Sequence, residues 1–140
     1  IKASLGQPVH GVPLHDLTPL LRLADIAGPT TAAELFARLQ EDLVTAQTGL
    51  TAAAATRDLH GLRNHSHVVI ALAGTVGADG LHRDAVRLNS LANDPGPNPD
   101  AAFAHATSLA AALSGLIREV RRAAQTLPTP TLPTTQAAAP

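Results

Sequence analysis

The sequence has no cysteine, methionine, tryptophan or tyrosine, and two phenylalanines among 140 residues. Without cysteine the chain has no disulfides and no thiolate for zinc binding, iron–sulfur clusters or nucleophilic catalysis. Ten basic and eleven acidic residues give a formal net charge of -1, so the basic surplus typical of nucleic-acid-binding proteins is missing. No apolar run approaches a membrane span, and no signal-peptide pattern is present. We therefore expect a cytoplasmic segment with no nucleic-acid or membrane partner.

Small aliphatic residues dominate the composition of the chain, and 45% of its residues are hydrophobic. Alanine and leucine favour closely packed helices, whereas a sheet would need more β-branched and aromatic residues. The length fits one domain. We therefore predict an all-α fold. The start at Ile1 rather than Met is compatible with a fragment of a larger protein.

Apolar positions that recur every three or four residues predict five helices. Gly28-Pro29 ends the first, Thr31 and Glu34 form a capping box that starts the second, and Asp100 is a natural N-cap for the last. The predicted ranges are 14–26, 31–53, 54–76, 81–92 and 100–125. These helices predict an antiparallel four-helix bundle with a short extra N-terminal helix across one end, spanning residues 14–126. Residues 1–13 are expected to be an irregular lead-in, and the Pro/Thr/Ala-rich residues 127–140 a disordered tail.

Histidine is the one reactive residue type in unusual supply, with seven in the chain. Four lie on or next to the predicted third helix: His60, His65, His67 and His82. At about 100° per residue, the apolar stripe of this helix leaves His67 on the solvent side, on the same face as four neighbours. These neighbours are His60, Arg63, Asn64 and Ala71. Because Ala71 and Gly74 are small, a large partner has room to reach the His67 ring, although most exposed helical histidines are simply solvated.

Other kinds of site fit the sequence poorly. His65 and His67 point to different sides of a helix, and no carboxylate completes a tetrahedral metal site on this face, so no metal is expected. The chain also lacks a nucleophile elbow and a glycine-rich phosphate loop, which excludes a serine hydrolase of known type and a kinase acting alone.

The segment from His67 to Leu81 resembles the signature of histidine-containing phosphotransfer (HPt) domains. That signature reads roughly H-x-L-K-G, followed by a Gly-Ala pair ten residues after the histidine and by a leucine that opens the next helix. Gly77 and Ala78 stand at this spacing, and Leu81 follows. Two positions differ: Ile70 replaces the family lysine and Ala71 the family glycine. The similarity spans about residues 14–122.

The resemblance implies a phosphoryl carrier in a bacterial two-component phosphorelay, with His67 as phosphoacceptor and Gly77-Ala78 as a structural turn. The partners implied are a response-regulator receiver domain, a hybrid histidine kinase, or both. The chain itself would be a phosphotransfer intermediate rather than a kinase acting alone, or a fragment of a hybrid histidine kinase. The receiver would supply Mg²⁺, and this chain would need no cofactor. The neighbours of His67 would stabilise the phosphoryl group or contact the partner protein: Arg63, His60, Asn64, Val68, Ile70, Ala71 and Gly74.

Two alternatives stay open at this point. The stretch His60-Gly61-Leu62-Arg63-Asn64 also resembles the H-box of histidine-kinase dimerisation domains, which would make His60 the phosphoacceptor. Gly61 stands where that box has its acidic general base. The other alternative is a degenerate docking module that binds a receiver or kinase without carrying phosphate.

Overall fold

The structure is a computed structural model that describes residues 15–129. The predicted lead-in of residues 1–13 and residues 130–140 of the predicted tail lie outside the described residues. Within them, 83% of residues are helical, in five helices and no strands, which confirms the all-α prediction. The helices are α1 (Thr18–Ala27), α2 (Pro29–Thr56), α3 (Leu59–Val76), α4 (Asp79–Asn93) and α5 (Asp100–Ala124).

The four longer helices form the bundle. Each packs against the next along the chain, and α5 returns to pack against α2, which closes the bundle. Consecutive helices are antiparallel, because only two residues join α2 to α3 and two join α3 to α4. Helix α1 packs mainly on α2 and also touches α3.

The core is the apolar stripe that the periodicity predicted. Leu43, Leu62, Leu88 and Leu113 are completely buried, one from each long helix. Five other apolar residues at helical spacing in the sequence are less buried than the periodicity predicted. Leu35, Leu59 and Leu91 are only half-buried, and Leu21 and Ile26 of α1 are 39% and 83% exposed. Neighbouring residues that the prediction left out are buried beside them: Ala32, Phe36, Gly61 and Ala92.

The start of α2 differs from the predicted capping box. The helix begins at Pro29, with Gly28 as its N-cap and no side-chain capping bond. Proline needs no N–H partner in the first turn, and Gly28 accepts its φ of +91° without strain. Thr31 therefore lies inside the helix rather than at its cap, and the capping-box prediction was wrong.

The boundary between α2 and α3 lies at Arg57-Asp58: α2 ends three residues after its predicted end, and α3 starts five residues after its predicted start. Arg57 adopts a left-handed conformation with φ of 56°. The Asp58 carboxylate is the N-cap of α3 and accepts the Gly61 N–H at 3.0 Å. Farther along, α4 starts at Asp79 instead of residue 81, and Asp100 is the first residue of α5 instead of its cap.

Contacts from both ends of the described chain reach the bundle. The backbone N–H of His15 donates to Glu119 Oε1 at 3.0 Å, which ties the segment before α1 to α5. Leu127, one residue beyond the predicted domain boundary, is half-buried against the core.

Within residues 15–129, α5 alone is long and apolar enough to cross a membrane. Half of its most apolar window is buried in the bundle, so this is weak evidence for a membrane span.

Candidate functional site around His67

His67 lies near the middle of α3, and its side chain is exposed. The apolar stripe of α3 determines this, because Leu62, Val69 and Ala73 are completely buried on the opposite side. The other solvent-facing residues of α3 are exposed as the sequence predicted: His60, Asn64, Val68, Ala71 and Gly74. No hydrogen bond or ion pair to the His67 ring is found among the described residues.

His60 lies on the same face, but its ring contacts a neighbour. Its Nε2 is 3.1 Å from the Asn64 side-chain amide nitrogen, one turn along the helix. Because an amide nitrogen can only donate, this contact requires Nε2 to accept, and the lone pair of that atom is then occupied. The corresponding contact is not found for His67, which separates the two candidate phosphoacceptors.

Arg63 is half-buried and points toward α4. Its Nη1 donates to the backbone carbonyl of Ala92 at 3.1 Å. Ala92 is the penultimate residue of α4, where carbonyl groups lack a donor within the helix. The guanidinium group therefore caps α4, a contact that sequence reasoning missed.

A partly buried hydrogen-bond network joins α3 to α4 next to His67. The Asn89 amide nitrogen donates to the Arg63 carbonyl at 3.2 Å and to Ser66 Oγ at 3.1 Å. Ser66 is completely buried and also donates to the Arg63 carbonyl, at 3.2 Å. Because both helices contribute, this network fixes the position of α4 relative to the turn of α3 that precedes His67.

Apolar side chains lie on both sides of His67. Ile70 is half-buried against the core, and Val68 is 42% exposed. Across the interface, the His82 ring approaches Gly74 and Asn89 bonds Ser66. From these two contacts we infer that Val86, which lies between His82 and Asn89 on the same face of α4, is opposite Ile70. Val86 is also 42% exposed. Sequence reasoning missed it, because it belongs to a different helix.

His65 lies away from this face. Its ring occupies the groove between α3 and α2, directly over Gly49, where a Cβ atom would overlap the ring. Glycine at this position leaves the space that a half-buried imidazole needs. His65 and His67 thus contact different surroundings, as their spacing on the helix predicted.

The Gly77-Ala78 turn ends α3. Gly77 is left-handed, with φ of +79°, which glycine adopts without strain. The Ala78 N–H donates back to the Ala73 carbonyl at 2.9 Å, and its side chain is buried. Above the turn, a Cβ atom on Gly77 would lie 3.4 Å from the Asp16 carbonyl, so the start of α1 packs closely here.

No group of three metal-ligating side chains is present in residues 15–129. A groove of about 610 Å³ lies between α2 and α5, whereas His67 lies on α3. Hydrogen bonds from the Gln47 amide nitrogen to the Ala110 carbonyl and to Ser114 Oγ, both 2.7 Å, cross between these helices beside the groove.

Comparison with known proteins gives no match: no family model, no curated protein and no solved structure matches the chain.

Proposed function

We propose that the chain is a phosphoryl carrier of a two-component phosphorelay, with His67 as the group that accepts and passes on phosphate. The observation that carries the proposal is the geometry at His67. Its exposed imidazole lies midway along a bundle helix, no described residue bonds its ring, and exposed Ala71 and Gly74 follow it on the same face.

The proposed chemistry is an in-line displacement at phosphorus. The Nε2 lone pair of neutral His67 attacks the aspartyl phosphate of a receiver domain. A nitrogen–phosphorus bond forms while the bond from phosphorus to the aspartyl oxygen breaks, and the carboxylate leaves with the electron pair. Transfer to a second receiver reverses these events. The receiver supplies Mg²⁺, and this chain contributes the position of the ring.

The surface around His67 suits contact with a folded partner. Val68, the residue after His67 on α3, and Val86 on α4 both expose apolar area, and the residues that follow His67 on its own face are small. Exposed apolar side chains beside a reactive group are typical of a protein docking surface. We infer that a receiver binds here, across α3 and α4.

The decisive experiment is incubation of the chain with a receiver phosphorylated on its aspartate, followed by detection of acid-labile phosphate. We expect labelling of the wild type and of His60→Gln, and none of His67→Gln. The melting temperature of His67→Gln should match that of the wild type, because an exposed side chain contributes little to stability. Labelling of His67→Gln but not of His60→Gln would favour the kinase-type interpretation instead.

A docking module that carries no phosphate is the second candidate. Two observations favour it: position 70 is an apolar, half-buried isoleucine, and the Arg63 guanidinium is bonded to Ala92. Such a module would bind a receiver with equal affinity in the wild type and in His67→Gln, and neither protein would acquire phosphate. Calorimetric titration of both proteins with the receiver separates this function from phosphoryl transfer.

A further inference from the structure

Arg63 stabilises the end of α4. The last carbonyl groups of a helix need donors from elsewhere, and Ser90 obtains one from the Asp94 N–H at 3.0 Å. Ala92 obtains its donor from another helix, through the 3.1 Å bond from Arg63 Nη1. A cation at a helix C-terminus is also favoured by the helix dipole.

Arg63 is also one helical turn before His67. Residues i and i+4 are neighbours on a helix surface, and side chains lean toward the N-terminus of their helix. A group attached to the His67 ring would therefore extend over the turn that contains Arg63 and Asn64. A phosphoryl group there carries about two negative charges and several acceptor oxygens.

We propose that Arg63 exchanges partners according to the charge at position 67, leaving the Ala92 carbonyl when His67 carries a phosphoryl group. An arginine–phosphate pair has both partners ionised and is often bidentate, whereas the Ala92 carbonyl is a single neutral acceptor. Arg63 is thus a positioning residue that links His67 to the end of α4.

The consequence is a local change in α4. Without the guanidinium, the Ala92 carbonyl loses its donor, and the last turn of α4 becomes less protected. The bonds from Asn93 Nδ2 to the Asn89 carbonyl, 2.8 Å, and from Asp94 to Ser90 do not involve Arg63. Because these bonds remain, we expect the loss of protection to stay within the last turn of α4 and the adjoining connection of residues 94–99, while the bundle stays folded. A partner that contacts this connection could then distinguish the two forms.

The inference rests on the proposed function for the source of the charge, but its test does not. His67→Glu places a negative charge at position 67 without phosphate, and His67→Gln is the uncharged control. We expect amide hydrogen exchange of residues 92–94, measured by NMR, to be at least three-fold faster in His67→Glu than in His67→Gln. Exchange of Leu43, in the core of α2, should be equal in both.

Arg63→Met keeps the aliphatic stem and removes the cation. Its exchange at residues 92–94 should already be fast, and adding His67→Glu should change it no further. Arg87→Met, an exposed arginine of α4, is the matched control and should exchange like the wild type. Equal rates in His67→Glu and His67→Gln, or wild-type rates in Arg63→Met, would overturn the proposal.

Chemical phosphorylation of His67 with phosphoramidate tests the same partner exchange of Arg63 with a phosphoryl group in place of the glutamate. In this reaction the nitrogen–phosphorus bond of the reagent breaks, ammonia leaves, and a new bond joins phosphorus to the His67 ring. Suppose that amide hydrogen exchange at residues 92–94 is faster in the phosphorylated form, but that no receiver phosphorylates His67. This result would support the change of partner by Arg63 and contradict the proposed relay function.

Discussion

At the scale of single residues, the question is which charges surround His67. Ile70 occupies the position at which the resemblance places a lysine, and its side chain packs partly against the core. Arg63 bonds the α4 carbonyl of Ala92. In the unmodified chain, therefore, neither of these two residues holds a positive charge against the His67 ring, and a phosphoryl group there would depend on rearrangement or on the partner.

Ile70→Lys tests this dependence. The lysine stem can cover the apolar contact while its ammonium group reaches solvent beside His67, so we expect a stability cost of only about 1 kcal/mol. The added cation should shift the equilibrium of phosphoryl transfer toward phospho-His67 by a few-fold. Quantifying phosphate on both proteins at equilibrium with one receiver checks this.

The control is Val44→Lys, which adds the same charge on α2 at a position 40% exposed. Its transfer equilibrium should equal that of the wild type. The Ile70→Lys shift should decrease as salt is raised, because charges at the surface are screened over about 10 Å at 0.1 M. An equal shift in both variants would mean that net charge, rather than a local contact, sets the equilibrium.

At the scale of helices, capping differs between α2 and α3. Asp58 caps α3 through the 3.0 Å bond from the Gly61 N–H. Thr31, in the first turn of α2, makes no such bond, since that helix has no side-chain cap. We expect Asp58→Ala to lower the free energy of unfolding by about 1 kcal/mol.

Thr31→Ala is the matched control, with an expected change of less than about 0.5 kcal/mol, as for ordinary exposed positions. Urea unfolding followed by circular dichroism measures both variants. A larger loss in Thr31→Ala than in Asp58→Ala would restore the capping box predicted from the sequence and contradict the observed start of α2.

The helices also show what the sequence could and could not predict. Apolar periodicity located most of the core and most of the exposed side of α3, because burial of a stripe depends on spacing within one helix. The exceptions include Ile26, which is exposed, and Arg63, which is half-buried against α4. The start of α3 was misplaced, since a left-handed arginine ends α2 where no glycine or proline marks the boundary. The contacts of Arg63 with Ala92, and of His65 with the space over Gly49, join different helices. Such contacts depend on helix packing, which periodicity alone does not specify.

At the scale of the whole molecule, one end of the bundle is closed by segments far apart in sequence. There His15 bonds Glu119 across 104 positions, and the start of α1 packs on the turn after α3. Leu127 lies at the same end, beside surface grooves that it lines together with Ala24 of α1 and Phe36 of α2. The segment that follows α5 therefore contributes to packing before the described chain ends at Thr129.

Two truncations measure that contribution. Ending the chain after Thr126 removes Leu127, whose half-buried side chain we expect to contribute about 1 kcal/mol by the usual area relation. Ending it after Thr129 retains Leu127 and its N–H bond to the Ala124 carbonyl at 3.3 Å. The shorter protein should unfold at a lower urea midpoint with an unchanged slope, because stability changes while the surface exposed on unfolding hardly does. Leu127→Ala in the full chain should reproduce most of the loss. Equal midpoints for the two truncations would show that Leu127 does not stabilise this end of the bundle, and that the packed domain ends by Thr126, where the sequence placed its boundary.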